Sequence, residues 1–498
     1  MRFDCRNRME RGKKSYSHIL KYTSMFGGVQ VLVILIGLVR NKFMAVLLGA
    51  GGMGLASLLT AAQNFASQCT NLGISQSGVP CLSECYERGD TEMLDYHIRV
   101  VRLWSLIAAL LGFLFCVVVS PFIDEYAFTW GDHTLHFATM GFAVAMIAVA
   151  SGEMAILKAT RHLGAMAKVL VISALTGVAV SVPLYYFLFH SGIVPAIVLT
   201  AAATMLTTIA YSWRCYPMRL SFSRQMFSDG LDMIRLGIAF MLAIAVGGAA
   251  EMLIRSYLNV EAGLACVGLY NVGYLITMTY AGMVFSAMDT DYFPRLSGVA
   301  NDIEATNETV NKQMEVSLLL LAPMLVALLT ALPILIPLLF SSEFLPVVGM
   351  AQVAIIAMYF KALTMPIAYI TLARKDALPY LLLETSSYVI MVWSVVVGFH
   401  YWGLYGTGVA LVVSHVLELI VIFSYAYLRY GYRTTSAIAR YSSVHIMIGL
   451  GAYSVSMSID GWLYWIIEAA LIIVSTAYSI HILRQKTRLW QALRRKFF

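Results

Sequence analysis

Fourteen predominantly apolar stretches follow one another along the chain, and about 20 such residues suffice to cross a bilayer as a helix. They fall at approximately 24–48, 55–80, 101–122, 136–157, 168–190, 193–213, 236–258, 264–290, 317–340, 348–373, 379–400, 403–428, 442–459 and 462–483. The second is rich in Gly, Ser, Asn and Gln, and the thirteenth is short. Only 12% of the 498 residues are charged and 60% are hydrophobic, whereas a soluble domain carries about 25% charged residues. Soluble globule, disorder and coiled coil are thereby excluded. The net charge of +7 is not gathered on one soluble domain, so nucleic acid is not a partner. The expected fold class is all-α, a polytopic membrane protein. Prolines at 183, 195, 323, 333, 337 and 366 lie within or beside spans and predict kinked or broken helices.

The seven cysteines, Cys5, Cys69, Cys81, Cys85, Cys116, Cys215 and Cys266, form no disulfide framework. Cys81 and Cys85 have no histidine at metal spacing, so no metal and no cofactor is expected. The first 23 residues hold seven basic residues and no apolar core with a cleavage site, which predicts no cleavable signal peptide.

Lys and Arg set the orientation. With the N-terminus inside, the inside segments hold 30 of the 34 basic residues and the outside loops hold none. Asp124, Glu125, Asp132, Glu261, Glu343 and Asp460 fall outside. Both termini are expected on the cytoplasmic side of the membrane. No loop is long enough for a soluble domain, so the protein's work is expected within the bilayer or at its faces.

The sequence also repeats. Leu38-Val39-Arg40 recurs as Leu253-Ile254-Arg255. Gly54-Leu55 and Pro80 follow Arg40, and Gly268-Leu269 and Pro294 follow Arg255, each with spacing shorter by one residue in the second copy. Six spans separate the copies, so both point the same way. This predicts two six-helix bundles about a pseudo-twofold along the membrane normal, with a central cavity. The expected segments are 1–225 (N-terminal segment and first bundle), 226–430 (second bundle) and 431–498 (two further helices and a basic tail).

Four basic residues depart from the inside pattern: Arg40, Lys42, Arg255 and Lys361. Lys42, near a helix end, can snorkel to the outer headgroups. Lys361 lies mid-span, where a lipid-facing charge is costly, and should face a cavity or a partner. Arg40 and Arg255 occupy equivalent repeat positions. A basic cavity in an apolar bundle suits an anionic substrate, and guanidinium forks suit phosphate oxygens. Among the intramembrane acids, Glu251 stands one turn before Arg255 and predicts an i,i+4 ion pair. His415 and Glu418 share one face of span twelve, as a polar contact or a proton relay. Glu153 is a further candidate for ion pairing or coupling and Glu468 a further intramembrane acid, while Asp289 and Glu384 lie close enough to the cytoplasmic ends to reach headgroups.

Ile36-Gly37-Leu38-Val39-Arg40-Asn41-Lys42-Phe43, Ala45-Val46-Leu47-Leu48-Gly49 and Gly52-Met53-Gly54-Leu55 resemble the opening of Wzx-type O-antigen flippases. These are polysaccharide exporters of the multidrug/oligosaccharidyl-lipid/polysaccharide superfamily. Glu251-Met252-Leu253-Ile254-Arg255 and Val267-Gly268-Leu269-Tyr270-Asn271-Val272-Gly273-Tyr274 resemble it again. The resemblance implies a non-enzymatic, bilobed transporter. Its substrate would be a polyprenyl-pyrophosphate-linked oligosaccharide moved to the outer leaflet by alternating access, and its partners a polysaccharide polymerase and chain-length proteins. In the related lipid II flippases a first-helix cation is thought to hold the pyrophosphate, and Arg40 matches that position. Asn41 stands where those flippases carry an acid, which favours a polysaccharide repeat unit. A drug exporter of the same superfamily is the nearest rival. A membrane glycosyltransferase or polymerase fits less well, because the outside loops are short and free of arginine.

Overall fold

A computed structural model describes residues 2–127, 134–219 and 223–486. Asp132 and the basic residues after Lys486 lie outside the described residues, as do the side chains of Cys5, Asp124, Glu125 and Asp289. Every regular element described is helical. In chain order they are α1 (Arg2–Thr70), α2 (Ile74–Arg88), α3 (Thr91–Ala127), α4 (Thr134–Ala159), α5 (Leu163–Leu188) and α6 (Ile193–Cys215). They continue as α7 (Arg224–Tyr274), α8 (Ala281–Val299), α9 (Ile303–Leu339), α10 (Val347–Ala373), α11 (Ala377–Tyr430), α12 (Ser436–Ser458) and α13 (Trp462–Lys486).

Among the described residues nine helical stretches are long and apolar enough to cross a membrane. Four of them are interrupted: at Gly49 in α1, at the 3₁₀ turn Phe189–Gly192 between α5 and α6, at Gly263 in α7 and at Gly403 in α11. Each interruption divides its stretch into two limbs, and α12 adds one less apolar helix. Every one of the fourteen expected spans therefore has a helix. The second departs from expectation, because its helix stops at Thr70 and restarts at Ile74. Leu72 and Gly73 take left-handed backbone there, and the Gly73 amide donates to Asn71 Oδ1 at 2.9 Å. The eighth passes through a π-helical turn, Leu275–Tyr280, before α8.

Gly49, Gly263 and Gly403 adopt φ of 66°, 78° and 57° with ψ of −169°, 176° and −143°, a region populated essentially by glycine alone, where a β-carbon costs about 1–3 kcal/mol. Gly49 follows Arg40 by nine residues and Gly263 follows Arg255 by eight. This is the same one-residue difference that separates the other landmarks of the repeat, so the duplicated unit keeps its reversal as well as its sequence.

The chain divides into two compact units, Met1–Gly248 and Ala249–Phe498. In the first, Ile98, Val101 and Trp104 of α3 pack with Ile156 and Ala159 of α4, Leu82 of α2 and Met226 of α7. In the second, α10 is the most enclosed of the candidate spans. Near its C-terminal end Ile367 and Ile370 join Tyr292 and Leu296 of α8, Met314 of α9 and Ile422 of α11. In a bilayer, helices associate through close packing more than through the hydrophobic effect. Gly398 and Gly406 show this: a β-carbon on Gly398 would stand 2.4 Å from the Gly406 carbonyl oxygen, so the two limbs of α11 meet backbone to backbone. Large apolar side chains such as Phe187, Trp393, Trp402 and Leu428 are exposed. In water they would be a liability, and in lipid they face their natural solvent.

Candidate functional site

The first unit holds three of the singled-out polar residues. Arg40 lies in the limb of α1 before Gly49, half-buried, beside α5. A β-carbon on Gly177 would come 4.0 Å from its Nη1, and Tyr185 lies within its field. Lys42, two residues on, is also half-buried.

Glu153 of α4 has a different setting. It is 5% exposed and forms a bidentate ion pair with Arg102 of α3, Nε to Oε1 at 2.8 Å and Nη2 to Oε2 at 3.1 Å. Ser212 and Trp213 of α6 donate to the same carboxylate at 2.6 and 3.0 Å. Arg102 further donates to the carbonyls of Tyr216 and Pro217 at 2.8 and 3.1 Å. Counted with an inside segment by charge, Arg102 is in fact buried at 4% exposure. The pair ties α3, α4 and the end of α6 together.

The second unit gathers the rest. Arg255, 7% exposed, lies on α7 two turns before Gly263. Its Nη1 donates to Glu251 Oε2 at 3.2 Å and to the Glu251 carbonyl at 3.1 Å, the pairing expected from their spacing. Its guanidinium carbon stands 5.9 Å from the centroid of the Tyr274 ring, within cation–π range. Tyr274 packs against the buried Tyr270 with centroids 5.8 Å apart.

Tyr388 of α11 lies within electrostatic range of Glu251, Tyr274 and Glu384. Glu384 in turn lies within range of Lys361 of α10 and Glu418 of α11. Glu418 Oε2 contacts His415 Nδ1 at 2.8 Å. A run of polar groups thus joins α7, α10 and both limbs of α11. It brings together Arg255, Glu251, Lys361, His415 and Glu418, which the sequence singled out. Glu384, expected to lie near the cytoplasmic end of its span, also belongs to this run, as does Tyr388, which the sequence did not single out. Sequence distance hid both, since Lys361 and Glu384 are on different helices.

Chemically the run has two characters. A guanidinium and an ammonium suit an anion, and the carboxylates with the imidazole suit protons or cations. Cys81 and Cys85 have thiols raised above the ordinary range, chiefly by burial and with neighbouring acids adding to it, which makes them poor ligands and nucleophiles. Among the described residues no three His, Cys, Asp or Glu side chains come together as a metal site.

Several solved structures are similar to this one. An inward-facing multidrug resistance MATE family transporter of the MOP superfamily shares 16% identity with a TM-score of 0.65, covering 82% of this chain and 96% of its own. The lipid II flippase MurJ, in an inward closed conformation, shares 15% identity with a TM-score of 0.66 over 93% of this chain and 99% of its own. A MOP superfamily transporter from Pyrococcus furiosus, described as having a binding pocket of reversed polarity, shares 15% identity with a TM-score of 0.57, covering 82% of this chain and 94% of its own. At these identities the likeness establishes the fold alone. No protein of curated function matches the chain. Residues 43–349 match the polysaccharide biosynthesis protein family, more than half the chain, and this multi-pass membrane protein therefore belongs to that family.

Proposed function

We propose that the protein is a flippase for a polyprenyl-pyrophosphate-linked oligosaccharide, an O-antigen or other surface polysaccharide repeat unit. In this reading it moves the unit from the cytoplasmic to the outer leaflet of a bacterial inner membrane by alternating access. The observation that carries the reading is a buried intramembrane arginine, Arg255, in a chain of a polysaccharide biosynthesis family. Arg255, with Lys361 and Arg40, is the binding group for the pyrophosphate, while the isoprenoid tail stays in lipid. Hydrogen bonds to charged groups contribute roughly 1.5–3 kcal/mol each, which offsets the desolvation of a diphosphate. Lys42 is a further cation for the same pyrophosphate. His415, Glu418, Glu384 and Glu251 are the groups through which an ion gradient acts. A polysaccharide polymerase and chain-length proteins act downstream as partners.

The test is the amount of lipid-linked repeat unit stranded on the cytoplasmic leaflet. Neutralising Arg40, Arg255 and Lys361 together is expected to strand it and abolish surface polysaccharide. Normal surface polysaccharide in that triple variant overturns the reading. Reporter fusions after residues 90, 160, 225, 305, 375 and 435 are expected to report cytoplasm, and fusions near 128, 345 and 460 the outside. The acids near Lys361 favour a second reading, export of organic cations. It predicts drug sensitivity, with surface polysaccharide intact, when Glu384 and Glu418 are changed to Gln.

A further inference from the structure

The carboxyl group of Glu468 lies on α13, far in sequence from the polar run of α7, α10 and α11. It is fully buried, at 0% exposure. Its Oε2 stands 2.8 Å from Thr330 Oγ1 of α9, and its Oε1 is buried with no hydrogen-bond partner. Thr330 has two other contacts. Its Oγ1 lies 2.9 Å from the Val326 carbonyl oxygen one turn back, and its own carbonyl accepts from the Tyr464 hydroxyl at 2.9 Å.

Proton counting decides the arrangement. A hydroxyl has one proton to donate, and a carbonyl oxygen can only accept. A threonine within a helix commonly gives that proton to the carbonyl four residues back. Thr330 Oγ1 then turns a lone pair toward Glu468 Oε2. Two lone pairs at 2.8 Å repel unless a proton lies between them, and the carboxyl group must supply it. The opposite assignment, with Thr330 donating to a carboxylate, leaves an anion at zero exposure with one neutral donor and a bare second oxygen. That is the costly state of a buried charge.

Among the described residues the surrounding groups do not supply a counter-charge. On its own helix Tyr464 is engaged with Thr330, and Arg484 and Lys486 lie at the far end. Lys486 there pairs with Glu315 of α9 at 2.5 Å, about five turns from Glu468. On α12, His445 is held between Ser475 and Ser479 at 3.2 Å each, and Arg440 lies by Tyr441.

We propose that Glu468 is a proton-binding site, a neutral carboxylic acid whose O–H donates to Thr330 Oγ1 and so fastens α13 to α9 through a single proton. Binding is simple protonation, carboxylate plus proton giving acid, and the proton's departure leaves Thr330 with one proton for two acceptors.

Infrared spectra of the full-length protein in lipid vesicles at pH 7 test this independently of transport. The wild type is expected to show the carbonyl stretch of a neutral carboxylic acid that is missing in Glu468→Gln, a variant of the same shape. Thr330→Val, which removes the acceptor and keeps the bulk, is expected to shift that band. If the difference between wild type and Glu468→Gln holds only carboxylate stretches, the group is ionised and the proposal is wrong. Should Glu468→Gln fail to accumulate, Thr330→Val decides alone: an unmoved neutral-acid region also overturns it.

Discussion

Arg102 and Arg255 are both buried in helices of an apolar chain, and each has a glutamate beside it. Their surroundings differ in one respect. The partner of Arg102 is sealed: Glu153 is 5% exposed and takes further hydrogen bonds from Ser212 and Trp213. The partner of Arg255 is open: Glu251 is 40% exposed, and the guanidinium also faces an aromatic ring. A buried charge whose counter-ion is closed on all sides belongs to the architecture. One whose counter-ion is accessible can exchange it for an incoming anion. Burial alone does not separate the two, and the exposure of the partner does.

The largest effect is expected where the sealed pair is broken. Glu153→Gln or Arg102→Met alone leaves an uncompensated buried charge and should destabilise the protein by about 3–5 kcal/mol. Thermal unfolding in detergent should show most of that loss recovered in the double variant. Next, Arg255→Gln is expected to lower export more than about tenfold, equivalent to roughly 1.4 kcal/mol in the barrier, while its melting temperature stays near that of wild type. A melting loss as large as that of Arg102→Met would erase the distinction between the two arginines. Arg255→Lys should retain part of the export, since the charge survives and the bidentate fork is lost. The smallest effect is expected for Glu251→Gln. Glu251 is itself 40% exposed, and Arg255 keeps its hydrogen bond to the residue 251 carbonyl and its place by the Tyr274 ring, so the melting temperature should fall less than in Glu153→Gln.

How much of this was readable in the chain depends on sequence distance. The fourteen helical segments follow from apolar runs of bilayer length, and the Glu251–Arg255 and His415–Glu418 contacts follow from helical spacing. Arg102 and Glu153 are 51 residues apart, and their pairing exists only because α3 packs on α4. Arg102 therefore looked like one more cytoplasmic charge. The Glu384–Lys361 neighbourhood is hidden for the same reason, since Lys361 is on another helix. The restart after Thr70 was missed because it rests on the left-handed backbone of Leu72 and Gly73, inside a stretch whose polar content already blurred the span.

The one-residue reversals at Gly49, Gly263 and Gly403 also bear on how the protein can be handled. Each of the three joins two limbs of one otherwise unbroken helical stretch. A connection made of a single left-handed glycine has no slack for a protease to grip and none for an inserted epitope. Tags, labels and fusion partners placed there must pry two helices apart, and at Gly403 they must do so a few residues from the Gly398–Gly406 contact.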